Sequence, residues 1–229
     1  MAEFREIWRG LDWSVLSGFV LSIVPSLICI VTHELCHGLA AYALGDMTAK
    51  QAGRLTLNPI RHIDFIGLLM MAVFRFGWAK PVPVDMRNFK HPKRDMALVA
   101  LAGPVSNLLL ALLFVALYIG LGPTVMRNLS PELAGAIVDT VLITAYISIA
   151  LGVFNMLPIP PLDGSKVLFA MALSDDKYYA LMEYERYGMI LIMILFWTGL
   201  AQPYFSYVTE QAFDWVWTAM LTIFSRLGA

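Results

Sequence analysis

Four stretches of this 229-residue chain run for 20 residues or more without a charged side chain: Trp13–Thr32, Met96–Gly122, Thr140–Leu162 and Tyr187–Thr209. A membrane-crossing helix needs about 20 mostly apolar residues, so the pattern predicts four spans. Two shorter apolar runs stand beside them. "FIGLLMMAVF", residues 65–74, has the length of a re-entrant or buried segment. "WVWTAMLTIFS", residues 215–225, is set off from the preceding run by Pro203 and reads as an interfacial helix or a last span. The predicted architecture is an all-α polytopic membrane protein of about four to six transmembrane helices, with a small re-entrant or β element between the first two long spans. It is one membrane-embedded unit over 1–229, with a helix at 12–45, a re-entrant or strand region at 46–95, further spans at 96–122, 135–160 and 187–209, and the last segment at 211–226.

Composition agrees with the pattern. The chain is 59% hydrophobic and 14% charged, where a soluble domain carries roughly 25% charged residues. The net charge of −1 leaves no electrostatic footprint for nucleic acid. Cys29 and Cys36, seven residues apart on one helix, would stand about 10 Å apart, beyond disulfide reach. The opening "MAEFREIWRGLDW" mixes acidic with basic residues and has no small-residue cleavage site. It reads as an amphipathic lead-in, with Trp8 and Trp13 suited to the membrane interface. Residues 46–95 hold nine of the 16 Lys and Arg, whereas 123–139 holds only Arg127. The positive-inside rule therefore puts 46–95 in the cytosol. Two crossings later, residue 163 returns to the same side. Arg5 and Arg9 pull against the resulting outward N-terminus.

The candidate chemistry lies at the end of the first apolar run, in "THELCHG". On a helix, His33 and His37 stand about 40° apart around the axis and about 6 Å apart along it, so both imidazoles reach one metal ion. Zinc suits imidazole, and a catalytic zinc site takes three protein ligands plus water. Glu34 points about 100° away from His33, outside the ligand set but near enough to take a proton from metal-activated water. Gly38 leaves room for another backbone to approach. A carboxylate at mid-membrane costs roughly 2.5–3.5 kcal/mol on insertion scales, so Glu34 reads as functional. Cys36 reads as a small buried apolar residue.

The third ligand is sought on the same membrane side, and "NMLPIPPLDG", residues 155–164, offers Asp163 after the prolines that end the preceding helix. Taken alone, Asp163 would cap the helix that follows; beside a site one ligand short, coordination is favoured. Gly164 would permit a tight turn there. Asn155 is an amide in an apolar run, suited either to hold substrate or a developing oxyanion or to bond between helices. Asn107, in "LAGPVSNLLLALL", poses the same question, with Gly103 and Ser106 nearby as close-packing residues. His62 reads as structural.

Taken together and in order, "HELCHG", "GRLTLNPIRHIDFIG", "FGWAKPVPVDMRNF", "LAGPVSNLLLALL" and "NMLPIPPLDG" resemble the site-2 protease family of intramembrane zinc metalloproteases, over most of residues 30–170. The resemblance implies one zinc ion held by His33, His37 and Asp163, Glu34 as catalytic base, and Asn155 near the scissile peptide. It implies a transmembrane-helix protein as substrate, in a prokaryotic plasma membrane with the site toward the cytosol. It also suggests that "WAKPVPV", extended by its prolines, adds its edge to an unwound substrate; the plainer reading is a lipid-surface loop with interfacial Trp78 beside Lys90, Lys93 and Arg94. The chain looks like a minimal form, without the PDZ or nucleotide-sensing domains of other members. Two rivals stand beside this reading: another H-E-x-x-H membrane protease with Glu183 or Glu185 as third ligand, and an inactive helix-binding or metal-handling protein.

Overall fold

The structure, a computed structural model, describes residues 13–65, 67 and 79–227. The first helix, α1, is Trp13–Ala43. It stops where Gly45 takes φ 108°. The Gly45 N–H donates to the Tyr42 carbonyl and the Asp46 N–H to that of Ala41, the paired bonds of a Schellman ending, which needs a residue in the left-handed region. A short turn of helix, α2 (Thr48–Gln51), leads to a 3-10 turn at Pro59–Arg61. Ile63 then bridges antiparallel to Ala79. The expected re-entrant segment at 65–74, Trp78 and the N-terminal lead-in with Trp8 lie mainly outside the described residues.

Two long helices follow, α3 (Pro92–Asn128) and α4 (Pro131–Asn155). Each opens on a proline, which loses nothing at a first turn where N–H groups have no partner. They form an antiparallel pair joined by Leu129 and Ser130. α5 (Asp163–Ala172), α6 (Asp175–Glu183), α7 (Glu185–Trp197) and α8 (Gln202–Leu227) complete the chain. Among the described residues, Ile23–Ala43, α3 and α4 are long and apolar enough to cross a membrane, and α7 with α8 make a fourth span if the bent pair is counted as one. The protein is an all-α integral membrane protein. Its four spans, so counted, meet the lower end of the expected range.

The run Tyr187–Thr209 departs from expectation. It is not one helix: α7 ends at Trp197, Gly199 takes φ 74°, and α8 leaves at 90°. Nor is 211–226 a separate element, since it continues α8. Absence of charge marks both sides of such a break alike, so the apolar run could not reveal it.

α8 closes against the α3–α4 pair, with Ala111, Val115, Ala145, Ile149, Val216 and Met220 buried between them. Small residues let the backbones approach, and hydrogen bonds add to the contact. Ser148 Oγ donates to the Asn107 carbonyl at 2.8 Å, fixing α4 to the middle of α3. Outward-facing Leu109, Leu113 and Leu121 present the apolar surface that lipid covers.

Candidate active site

α1 and α3 run antiparallel, and each presents residues four apart on one face. His33 and His37 of α1 meet Asn107, Gly103 and Val99 of α3. The Val99 carbonyl lies 2.7 Å from Nδ1 of His37, and the Asn107 amide nitrogen lies 3.1 Å from Nδ1 of His33. Between them, a Cβ on Gly103 would come within 2.5 Å of the His37 ring. Only a hydrogen fits there, which makes Gly103 the close-packing residue the sequence suggested. Ser106 contributes by donating to the Gly103 carbonyl at 2.6 Å.

The third wall is α5. Leu162 is its N-cap and Asp163 its first residue, and no side chain caps it. The alternative reading of Asp163 as a helix cap therefore fails, and its carboxylate turns to the histidines instead. Oδ2 lies 3.2 Å from Nε2 of His33 and 3.1 Å from Nε2 of His37. The loop that presents Asp163 is wedged at two glycines: a Cβ on Gly164 would strike the Met156 carbonyl, and one on Gly188 that of Pro160. Gly164 thus serves close backbone approach rather than the expected turn. Gly38 also differs, making room for the side chains of Leu55 and Val82 rather than for a backbone.

The two Nε2 atoms are 2.9 Å apart, so three ligand atoms form a nearly equilateral triangle, all on buried residues. Around a tetrahedral zinc with ligands at about 2.0–2.1 Å, neighbouring ligands stand about 3.3 Å apart. A carbonyl only accepts, so the bond to Val99 puts the ring proton of His37 on Nδ1 and leaves a lone pair on Nε2. Among the described residues, Asp163 Oδ2 has no hydrogen-bond partner. A carboxylate and the inward lone pair of His37, with Nε2 of His33 beside them, make a donor set that fits a divalent cation.

Glu34 lines the same cavity, of about 640 Å³, as do His62, Asn155, Lys166 and Glu185. Its Oε2 accepts from the Val82 N–H at 2.8 Å. That bond docks the extended stretch 79–84 against α1. The stretch is further tied by Lys80, whose N–H donates to the His62 carbonyl at 2.9 Å and whose carbonyl accepts from Arg54 Nη2 at 2.6 Å. Pro81 and Pro83 have no N–H. Every backbone N–H from 80 to 83 is therefore engaged, and what the backbone of those four residues still offers a neighbouring strand is carbonyl oxygen. His62 is buried, with Nε2 2.9 Å from the Thr56 carbonyl.

Asn155 reaches the cavity wall and donates to its own helix at the Leu151 carbonyl, 3.0 Å away. Asn107 is different. It is wholly buried against His33 and is not among the cavity-lining residues, so the expected contact with substrate is replaced by contact with a histidine. Glu183 is exposed and Glu185 pairs with Lys166 at 3.3 Å; neither joins the triangle. Val99 escaped sequence reading because it contributes a carbonyl, which every residue type carries.

The family model of peptidase family M50 matches residues 21–198. The chain is 36% identical over 214 residues to the Bacillus subtilis (strain 168) protein named "Putative zinc metalloprotease YwhC", covering 91% of this chain and 95% of that one. It is 26% identical over 205 residues to the Mycolicibacterium smegmatis protein named "Putative zinc metalloprotease Rip2", covering 88% and 76%. No solved structure matches it.

Proposed function

The chain belongs to peptidase family M50, the site-2 protease family whose metal is zinc, and from that premise we propose that it hydrolyses peptide bonds within or near transmembrane helices of other membrane proteins. One observation carries this reading. Two imidazoles from α1 and a carboxylate from α5 converge to within 3.2 Å of one another on buried residues, and Glu34 shares their cavity. His33, His37 and Asp163 would hold the zinc, which supplies Lewis acidity, polarising the scissile carbonyl and activating water.

Glu34 is the base. The Val82 N–H takes one carboxylate oxygen and leaves the other to receive a proton from the attacking water and pass it to the leaving nitrogen. Asn155, on the cavity wall, is placed to meet the substrate backbone once its bond to Leu151 yields. The substrate must unwind, because a helix hides its peptide groups in internal hydrogen bonds. An unwound strand beside 79–84 would donate its N–H groups to the free carbonyls of that stretch. The basic content of 46–95 supports a cytosolic site.

The test uses the purified chain in liposomes with a single-span model substrate. Glu34→Gln should lower cleavage by at least about 100-fold while zinc content and melting temperature stay at wild-type values. Full activity in that variant would remove Glu34 as base. Cleavage of soluble peptides alone, with the embedded helix untouched, would remove the substrate class.

A further inference from the structure

We infer that Asn107 is a positioning residue for the zinc site: its amide oxygen faces Nδ1 of His33 and holds that ring in the tautomer that directs a lone pair inward. The inference rests on the zinc reading above and deepens it.

The argument is one of donors and acceptors. To bind a cation through Nε2, His33 must carry its proton on Nδ1. The atom facing Nδ1, 3.1 Å away, then has to accept, and the only acceptor on an asparagine side chain is Oδ1. The structure draws the amide with its nitrogen toward Nδ1; a nitrogen donating there would move the ring proton to Nε2. There it would point into the triangle, 2.9 Å from His37 Nε2 and 3.2 Å from Asp163 Oδ2, and shut out a cation. The two amide orientations have the same shape, so hydrogen-bond logic alone separates them. With the nitrogen toward His33, Oδ1 is buried and finds no hydrogen-bond partner among the described residues.

The other histidine supplies an independent pattern. Nδ1 of His37 faces a carbonyl, Val99, eight residues before Asn107 on the same face of α3. With Oδ1 toward His33, both imidazoles donate outward to oxygens of one helix and direct lone pairs at one point. Metal-bound histidines commonly donate their second N–H to an oxygen in this way, and loss of such a partner typically costs 10–100-fold in metal affinity. Asn107 cannot drift from the position, because its carbonyl is held by Ser148 across the α3–α4 contact.

The experiment measures zinc affinity by chelator competition on purified chain in detergent, with melting temperature alongside. Asn107→Asp keeps an acceptor and removes the donor; Asn107→Leu removes both. The inference expects Asn107→Asp to hold zinc within a few-fold of wild type and Asn107→Leu to lose about 10–100-fold. Equal loss in both variants would overturn it, since that is the signature of a donor role. So would wild-type affinity in Asn107→Leu. If neither variant folds, zinc-free wild-type chain labelled with ¹⁵N-histidine decides by NMR. A proton on Nδ1 of His33 supports the inference, and an unprotonated Nδ1 overturns it. A wild-type chain that binds no zinc would defeat the metal reading itself, a result distinct from all of these.

Discussion

At Gly103 one hydrogen atom sets the room around two histidines. A methyl there would stand 2.5 Å from the His37 ring and 2.6 Å from that of His33, closer than carbon atoms tolerate, and both rings are tied at Nδ1 to the helix that carries Gly103. Gly103→Ala should therefore abolish zinc binding with all three ligands still in the chain. Zinc stoichiometry by elemental analysis, with circular dichroism to verify that the helices persist, checks it. At this scale the sequence spoke where chemistry was local. The spacing of His33, Glu34 and His37 follows from the helical period and could be read directly. Asp163 was found from the ligand count and the topology. Asn107 stood out as an amide among apolar residues, but its partner is 74 residues away, and only the crossing of α1 with α3 reveals which group it meets.

Among the elements, the end of α1 and the extended stretch beyond it are joined by Asp46. Its Oδ1 accepts from the Thr48 N–H and hydroxyl and from Asn88 Nδ2, and its Oδ2 from the Asp85 N–H. Hydrogen bonds to a buried charge are worth about 1.5–3 kcal/mol each, and their effects overlap within one network. Asp46→Ala should cost about 3 kcal/mol, measured by denaturant unfolding in detergent, and should expose the 79–85 stretch to limited proteolysis. Burial alone would raise the Asp46 carboxyl, yet the bonds from Thr48, Asp85 and Asn88 outweigh it and lower the value. The stability Asp46 contributes is thus complete above about pH 4, the unfolded carboxyl range, and is lost as pH falls through its depressed folded value. In Asp46→Asn that acid dependence should flatten, which melting temperatures between pH 3 and 6 would record. The sequence indicated that this region is turn-rich and extended. It gave no sign that Asp46 gathers the region, because Asp85 and Asn88 stand 39 and 42 residues further along the chain.

For the whole molecule, apolar runs were enough to read an all-α membrane protein, although the uncharged run Thr140–Leu162 starts nine residues into α4 and ends seven residues beyond it. They failed at the Gly199 bend, where hydrophobicity is continuous and the backbone is not. They were also silent on how the crossings register, yet register is what makes the site. Val99, Gly103 and Asn107 meet the histidines in one sliding position of α3 on α1, and a shift of one turn, about 5.4 Å, would separate them. His33 and Asp163 are 130 residues apart in the chain, so an ion bonded to both fastens the fold into a ring of that span, much as a crosslink does. A ligand that binds only the folded state adds about 2.7 kcal/mol of stability at 100 times its Kd. Stripping the metal with a chelator should consequently lower the melting temperature and let proteases into the connection between α4 and α5. Glu34→Gln with its zinc in place should keep the wild-type melting temperature and protease resistance. The ion is then a clasp as well as a reagent, and zinc starvation would deplete the folded protein along with its activity.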